Sequence, residues 1–170
     1  MFIFILFVLL ILYIVLSVMP HRDMIKNYWR YQSSSKTLFE KYGGLQTIQA
    51  VVDASVVNLL AEPSLSNVFA VVGQEGHRSG PQLKSCLDLQ FAALFGGPFA
   101  YPAKTFTRGV TVNARTMKDS HRGLKITTAQ FNSFVNILAK TLLDSGVATE
   151  DVNAVAPGLK AMLKDIVEIV

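Results

Sequence analysis

The chain opens on an unbroken apolar run from Phe2 to Met19 and only afterwards breaks into apolar and polar positions. About eighteen residues is the lower limit for crossing the hydrocarbon core of a bilayer as a helix. No Lys or Arg precedes the run, and no small-x-small pattern follows Leu16-Ser17-Val18-Met19-Pro20. The flanks therefore favour a retained anchor over a removed leader. Residues 1–20 are expected to form one transmembrane helix. Residues 21–36 follow as a juxtamembrane linker in which Arg22, Lys26, Arg30 and Lys36 interleave with Tyr28, Trp29 and Tyr31. Positive charge on this side of an anchor points the rest of the chain to the cytoplasm and offers a contact for anionic membrane lipid.

From Thr37 onward the apolar period is helical almost throughout. Thr37-x-x-Glu40 has the form of a capping box, and Gly43-Gly44 stops that short helix. Ile48, Val51, Val52, Ser55, Val56 and Leu59 then recur at steps of three and four, up to Glu62-Pro63. Pro81 suits the first turn of a further helix, whose face carries Leu83, Cys86, Leu87, Phe91 and Leu94 before Gly96-Gly97-Pro98 ends it. Phe99 to Asn113 shows no clear helical period; a brief extended piece over Phe106 to Val112 is the alternative, and a loop is the expectation. A short helix then places Met117 and His121 one turn apart. Thr127-x-x-Gln130 opens a helix with Phe131, Phe134, Val135, Leu138 and Leu142 on one face. The last helix carries Val152, Val155, Leu159, Met162 and Ile166, and Pro157-Gly158 is expected to kink or split it. The pattern predicts an all-α domain over 37–170.

Charge and motifs narrow the chemistry. The net charge of +4 is dispersed, without a Lys/Arg block beyond the linker, which argues against nucleic acid as a partner. A single cysteine, Cys86, excludes an intrachain disulfide. The Ser, His and Asp residues form no hydrolase arrangement. Gly96-Gly97 leads into a proline-containing loop and not into a helix N-terminus, so it is no phosphate cradle. What remains is His121, because a neutral imidazole on a short helix with an apolar face is what a haem iron takes from a protein.

Its surroundings give that reading weight. Leu38-Phe39-Glu40-Lys41-Tyr42-Gly43-Gly44, Val51-Val52-Asp53, Leu60-Ala61-Glu62-Pro63 and Val68-Phe69 come first. Gly96-Gly97-Pro98, Tyr101, Arg115-x-Met117-x-x-x-His121 and Leu124-x-Ile126-Thr127-x-x-x-Phe131 follow. In this order they resemble the truncated haemoglobins, group I in particular, over about Thr37 to Val167. The resemblance implies a two-over-two helical sandwich enclosing haem b, preceded here by the transmembrane helix. It implies His121 as the iron ligand, and Phe69, Met117, Ile126, Phe131 and Val135 along the haem plane. Tyr101 and Arg115 belong to the approach to the proximal ligand.

The departures concern the ligand side. Family members often carry a tyrosine on the second helix and a glutamine on the third, both donating to bound dioxygen. Those positions fall here on Val56, Leu83 and Leu87, all apolar. One lost hydrogen bond of about 1–2 kcal/mol would speed oxygen release on the order of tenfold. Counting forward from Phe69 instead puts His77 at the glutamine position, but Gly76, Gly80 and Pro81 suggest a loop there. Lys84 is a further candidate for the sixth iron site. A second departure is extra sequence between Tyr101 and Ala114.

The function so implied is binding of a diatomic gas (oxygen, nitric oxide or carbon monoxide), for local handling or sensing at a membrane. Nitric oxide dioxygenation would require an external reductase, since no flavin or nicotinamide motif is visible. The rival reading is a globin-shaped, haem-free adaptor tethered to the membrane.

Overall fold

A reciprocal cap begins the ordered path of the chain. Thr37 Oγ1 accepts from the Glu40 amide at 3.2 Å, and Glu40 Oε2 accepts from the Thr37 amide at 3.0 Å. Two amides that a helix start leaves free are thereby satisfied. The computed structural model describes residues 36–169. The expected anchor at 1–20 and all of the linker but Lys36 lie outside these residues. Among the described residues, no helix is long and apolar enough to cross a membrane.

Helix α1 is Leu38–Lys41 and α2 is Leu45–Leu60. The buried positions of α2 are Ile48, Val51, Val52, Ser55, Val56 and Leu59, the set its spacing predicted. A 3-10 turn, Pro63–Leu65, leads into α3, Ser66–Phe69. Helix α4, Gly80–Leu94, has Pro81 in its first turn and a capping box between Ser79 and Gln82. After an excursion described below come α5, Met117–His121, and α6, Thr128–Asp144, the latter boxed by Thr127 and Gln130. Helices α7, Thr149–Ala161, and α8, Leu163–Ile166, complete the order. Helix α2 packs on α4, α6 packs on α7, and α2 crosses α6. The two pairs share a core of Ile48, Val51, Val52 and Val56 with Phe91, Phe95, Leu138, Leu142, Val152, Val155 and Leu159. This is the expected two-over-two sandwich.

The fold is mostly helical but not all-α. Where a loop was expected, β1, Lys104–Thr107, pairs antiparallel with β2, Val110–Asn113. The Thr107–Val110 pairing leaves Arg108-Gly109 as a two-residue turn, with φ of 54° and 72°. Two positive φ values in succession are what a type I′ turn needs, and they match the twist of the flanking strands. Thr105, Thr107, Val110, Thr111 and Val112 are β-branched and suit a pleated ribbon. The alternation is legible only over four residues a side, too short to stand out in a helical chain.

Arg108 fastens this hairpin to both α2 and α4. Its Nε and Nη2 donate to the two oxygens of Asp88 at 2.8 and 2.9 Å, and Nη1 reaches both oxygens of Asp53 at 3.0 Å. Nη2 also donates to the Gln49 carbonyl, while Thr107 Oγ1 donates to Asp88 and shares a hydrogen bond with Ser85. Asp88 is fully buried. Helix α4 therefore has two covered sides, with Ser85 and Asp88 facing the hairpin.

Pro157 does not split the last long helix. Helix α7 runs through it to Ala161, and the break falls at Met162. Asn153 and Pro157 are both exposed, so the carbonyl deprived of its donor can be hydrated. Beside it, a Cβ on Gly158 would stand 2.6 Å from Leu94 Cδ1, so the bare backbone lets α7 close on the end of α4.

Candidate functional site

On its other side α4 presents Leu83, Cys86, Leu87, Gln90 and Phe91, at the three- and four-residue steps of one helix face. These line a cavity of about 280 Å³. Helix α5 supplies Met117 and His121, while Ile126, Phe131, Phe134, Leu159, Met162 and Ile166 close it on the side of the second helix pair. Phe69 enters from α3. That short helix is tied to α6 by Gln130, whose Nε2 donates to the Ser64 carbonyl and to Asn67 Oδ1, each at 2.9 Å. Apart from Gln90, the buried residues of the lining are apolar. The polar residues His77, Arg78, Arg115, Asp119 and Arg122 line its partly or fully exposed parts.

His121 is held in a defined state. Its Nδ1 lies 2.7 Å from the Met117 carbonyl oxygen, an acceptor only, so Nδ1 carries the proton and donates. Nε2 is left with a free lone pair. Burial pushes the imidazole pKa down, against the opposing effects of the Met117 hydrogen bond and the charge of Glu168. The ring is accordingly a neutral base with one nitrogen lone pair available.

A five-residue helix cannot hold such a ring alone, and the C-terminal segment supports it. Glu168 accepts from the Gly123 amide at 2.6 Å and the Lys125 amide at 2.8 Å, which keeps its carboxyl below the usual range. The amides of Glu168 and Ile169 donate to the Ile126 carbonyl, and the Thr128 amide donates to that of Ile169. The turn after His121, in which Lys125 takes a left-handed φ of 53°, is thus pinned by chain more than forty residues away. Near the rim, burial pushes up both the Cys86 thiol and the Tyr101 hydroxyl. Arg78 and Arg115 work against the shift at Cys86, and Ser120 and Arg78 against that at Tyr101.

The structure brings together most of the residues expected from sequence: Phe69, Leu83, Leu87, Tyr101, Arg115, Met117, His121, Ile126 and Phe131 all line the cavity. Val56 and Val135 do not. Val56 is absorbed in the core shared by the helix pairs, and on α6 Phe134 takes the lining position beside half-buried Val135. Lys84 is also outside the lining, its Nζ 2.7 Å from Asp53 Oδ1. His77 touches the cavity from an exposed loop before α4, in keeping with the backward count. Gln90 and Met162 were missed as site residues. For Gln90 the signal was present, since it stands three residues beyond Leu87 on the same face.

Residues 37–168 match the family of bacterial-like globins. The chain is 28% identical over 131 residues to a group 1 truncated haemoglobin of Mycolicibacterium paratuberculosis, covering 76% of this chain and 83% of that one. It is 25% identical over 131 residues to the group 1 truncated haemoglobin of Tetrahymena pyriformis, covering 77% and 94%. The fold matches the crystal structure of the Tetrahymena pyriformis protein in its Fe(III) form with a TM-score of 0.63, at 22% identity over 78% of this chain and 98% of that one. The group II truncated haemoglobin of Bacillus anthracis gives 0.61, at 21% identity over 81% and 95%. Truncated globins bind haem iron, and the family implies a gas ligand. With this cavity, this order of helices and a match over nearly all the described residues, the chain belongs to the bacterial-like globins and has the truncated haemoglobin fold.

Proposed function

We propose that the chain is a haem-b globin of the group I truncated type, in which His121 is the protein ligand of the iron. The carrying observation is the Nδ1 contact to Met117, which leaves a neutral imidazole with a free Nε2 on the cavity wall. The lining fits the group: apolar side chains suit the ring, and Arg78 and Arg115 near the rim suit its two carboxylates. Bound haem supplies the iron on which a diatomic gas (oxygen, nitric oxide or carbon monoxide) binds. Met117 orients the imidazole, Glu168 fixes the turn behind it, and Phe69, Ile126 and Phe131 exclude water.

Residues 1–20 hold the domain at a membrane, on its cytoplasmic side, with the basic linker against anionic lipid. This rests on the apolar run and on the charges that follow it. A tethered protein suits local handling or sensing of oxygen or nitric oxide better than bulk transport. Nitric oxide dioxygenation would draw its electrons from a separate reductase.

The test is the visible spectrum of the full chain in mild detergent titrated with haemin, then reduced under carbon monoxide, beside His121→Ala. A sharp Soret band saturating near one haem per chain, lost or displaced in the variant, is the expected result. Equally loose haemin binding by both proteins would refute His121 as the ligand and favour the haem-free adaptor.

A further inference from the structure

His121 is the last residue of α5, and the turn behind it is tied mainly to the C-terminal segment. Within that turn the Leu124 amide donates to the His121 carbonyl at 3.1 Å. Gly123 and Lys125 both take a left-handed backbone, with φ of 82° and 53°. A non-glycine residue keeps that conformation only where its surroundings over-determine it. Here they do. Glu168 accepts from both amides, at 2.6 and 2.8 Å, and the amides of Glu168 and Ile169 return two bonds to the Ile126 carbonyl, at 2.9 and 3.1 Å. A short parallel bridge joins Ile169 to Thr127. The Glu168 side chain is no part of the cavity wall, yet Ile126 and Ile166, on either side of this clasp, both are. Helix α8, which carries Ile166, also packs directly on α5. The clasp therefore joins the cavity wall to His121 by a closed path of contacts.

We propose that Glu168 is a positioning residue for the iron ligand: through the amides of Gly123 and Lys125 it fixes where His121 presents Nε2, without itself touching the haem. The Nδ1 bond to Met117 fixes the rotation of the ring, but it lies wholly within α5 and cannot set where α5 stands in the cavity. That position needs an anchor outside the helix. Glu168 supplies one from 45 residues beyond Gly123. Hydrogen bonds behind a metal ligand hold its geometry, and their loss weakens the metal bond without removing the ligand. The inference rests on the haem reading above, and goes beyond it in making haem retention depend on a surface carboxylate.

The experiment compares the full chain in mild detergent with Glu168→Ala, Glu168→Gln and Gly97→Ala, the last a crowding change outside the cavity lining. It reads amide hydrogen exchange at Gly123 and Lys125 without haem, and the rate of haem loss to excess apomyoglobin. It also reads the iron–histidine stretching band after photolysis of the ferrous carbonyl form. In Glu168→Ala both amides should exchange faster, haem should leave about tenfold faster, and the band should fall in frequency and broaden. Glu168→Gln keeps one acceptor oxygen and should lie between. Gly97→Ala should leave the band in place, so a shift confined to position 168 separates positioning from general loss of stability. The proposal is overturned if Glu168→Ala keeps the original band, whatever happens to the amides and to haem loss, or if Gly97→Ala moves the band as far. Should Glu168→Ala fail to fold, the same criteria apply to Glu168→Gln. Absence of a one-haem Soret band in the unsubstituted chain would instead sink the haem reading, and this inference with it.

Discussion

Removing Arg108 should do far more damage than its surface position in a hairpin turn suggests. Its side chain is 16% exposed, but it neutralises Asp88, which is 0% exposed, through two parallel N–H···O contacts. In Arg108→Ala, Asp88 would keep only Thr107 Oγ1 at 3.1 Å and Gln49 Nε2 at 3.4 Å. Breaking a buried ion pair from one side costs about 3–5 kcal/mol, because the remaining charge stays desolvated. Asp53 offers the internal contrast. It is 48% exposed and shared with Lys84, so Asp53→Asn should cost less than about 1 kcal/mol. The turn geometry supplies a second contrast. Position 108 has a φ of 54°, so Arg108→Gly should recover about 1 kcal/mol relative to Arg108→Ala. Urea unfolding of the haem-free full chain, followed by far-ultraviolet circular dichroism, measures all three. A loss below about 1 kcal/mol in Arg108→Ala, or a loss in Asp53→Asn as large as that in Arg108→Ala, would show that Asp88 does not depend on its buried ion pair.

Two further outcomes follow from the same geometry. A Cβ at Gly97 would stand 2.8 Å from the Ala92 carbonyl oxygen and 2.8 Å from Phe39 Cδ2, so Gly97→Ala should cost about 1–3 kcal/mol in the same unfolding assay. A cost below about 0.5 kcal/mol would mean that α1 can move off the end of α4. The pH dependence of apo-protein stability carries the mark of His121. Its folded pKa lies below the ordinary value of 6.5, so between the two values the unfolded chain binds the extra proton. The stability it contributes is complete above about 6.5 and is lost as the pH falls toward the folded value. His121→Gln should flatten this part of the unfolding profile, and an identical slope in both proteins would show that burial does not depress the imidazole.

Local chemistry was read well because its causes are local. The capping boxes at Thr37 and Thr127 and the inner face of α2 depend on residues three or four apart, and each stands where the spacing put it. His121 was legible through its neighbours, as were Met117 and Phe131. Two positions went astray for a geometric reason. Period alone says that Val56 and Val135 face inward, but Val135 stands half-buried beside the lining Phe134, and for Val56 in a two-layer helical sandwich inward means either the shared core or the cavity. Only helix crossing decides between them. The hairpin was lost because four alternating residues a side are a weak signal until Arg108 finds Asp53 and Asp88, 55 and 20 residues away.

Backbone capping and hydrophobic period make the predominantly helical character, most helix starts and stops, and the apolar surroundings of His121 legible in the residues themselves. Tertiary structure decided which apolar residues line the cavity, that Lys84 pairs with Asp53, that Glu168 buttresses the turn after His121, and that Gln90 stands buried with an unpaired oxygen. Each of these depends on which charges and dipoles long-range packing brings within about 3 Å while removing water, and no short-range pattern encodes that.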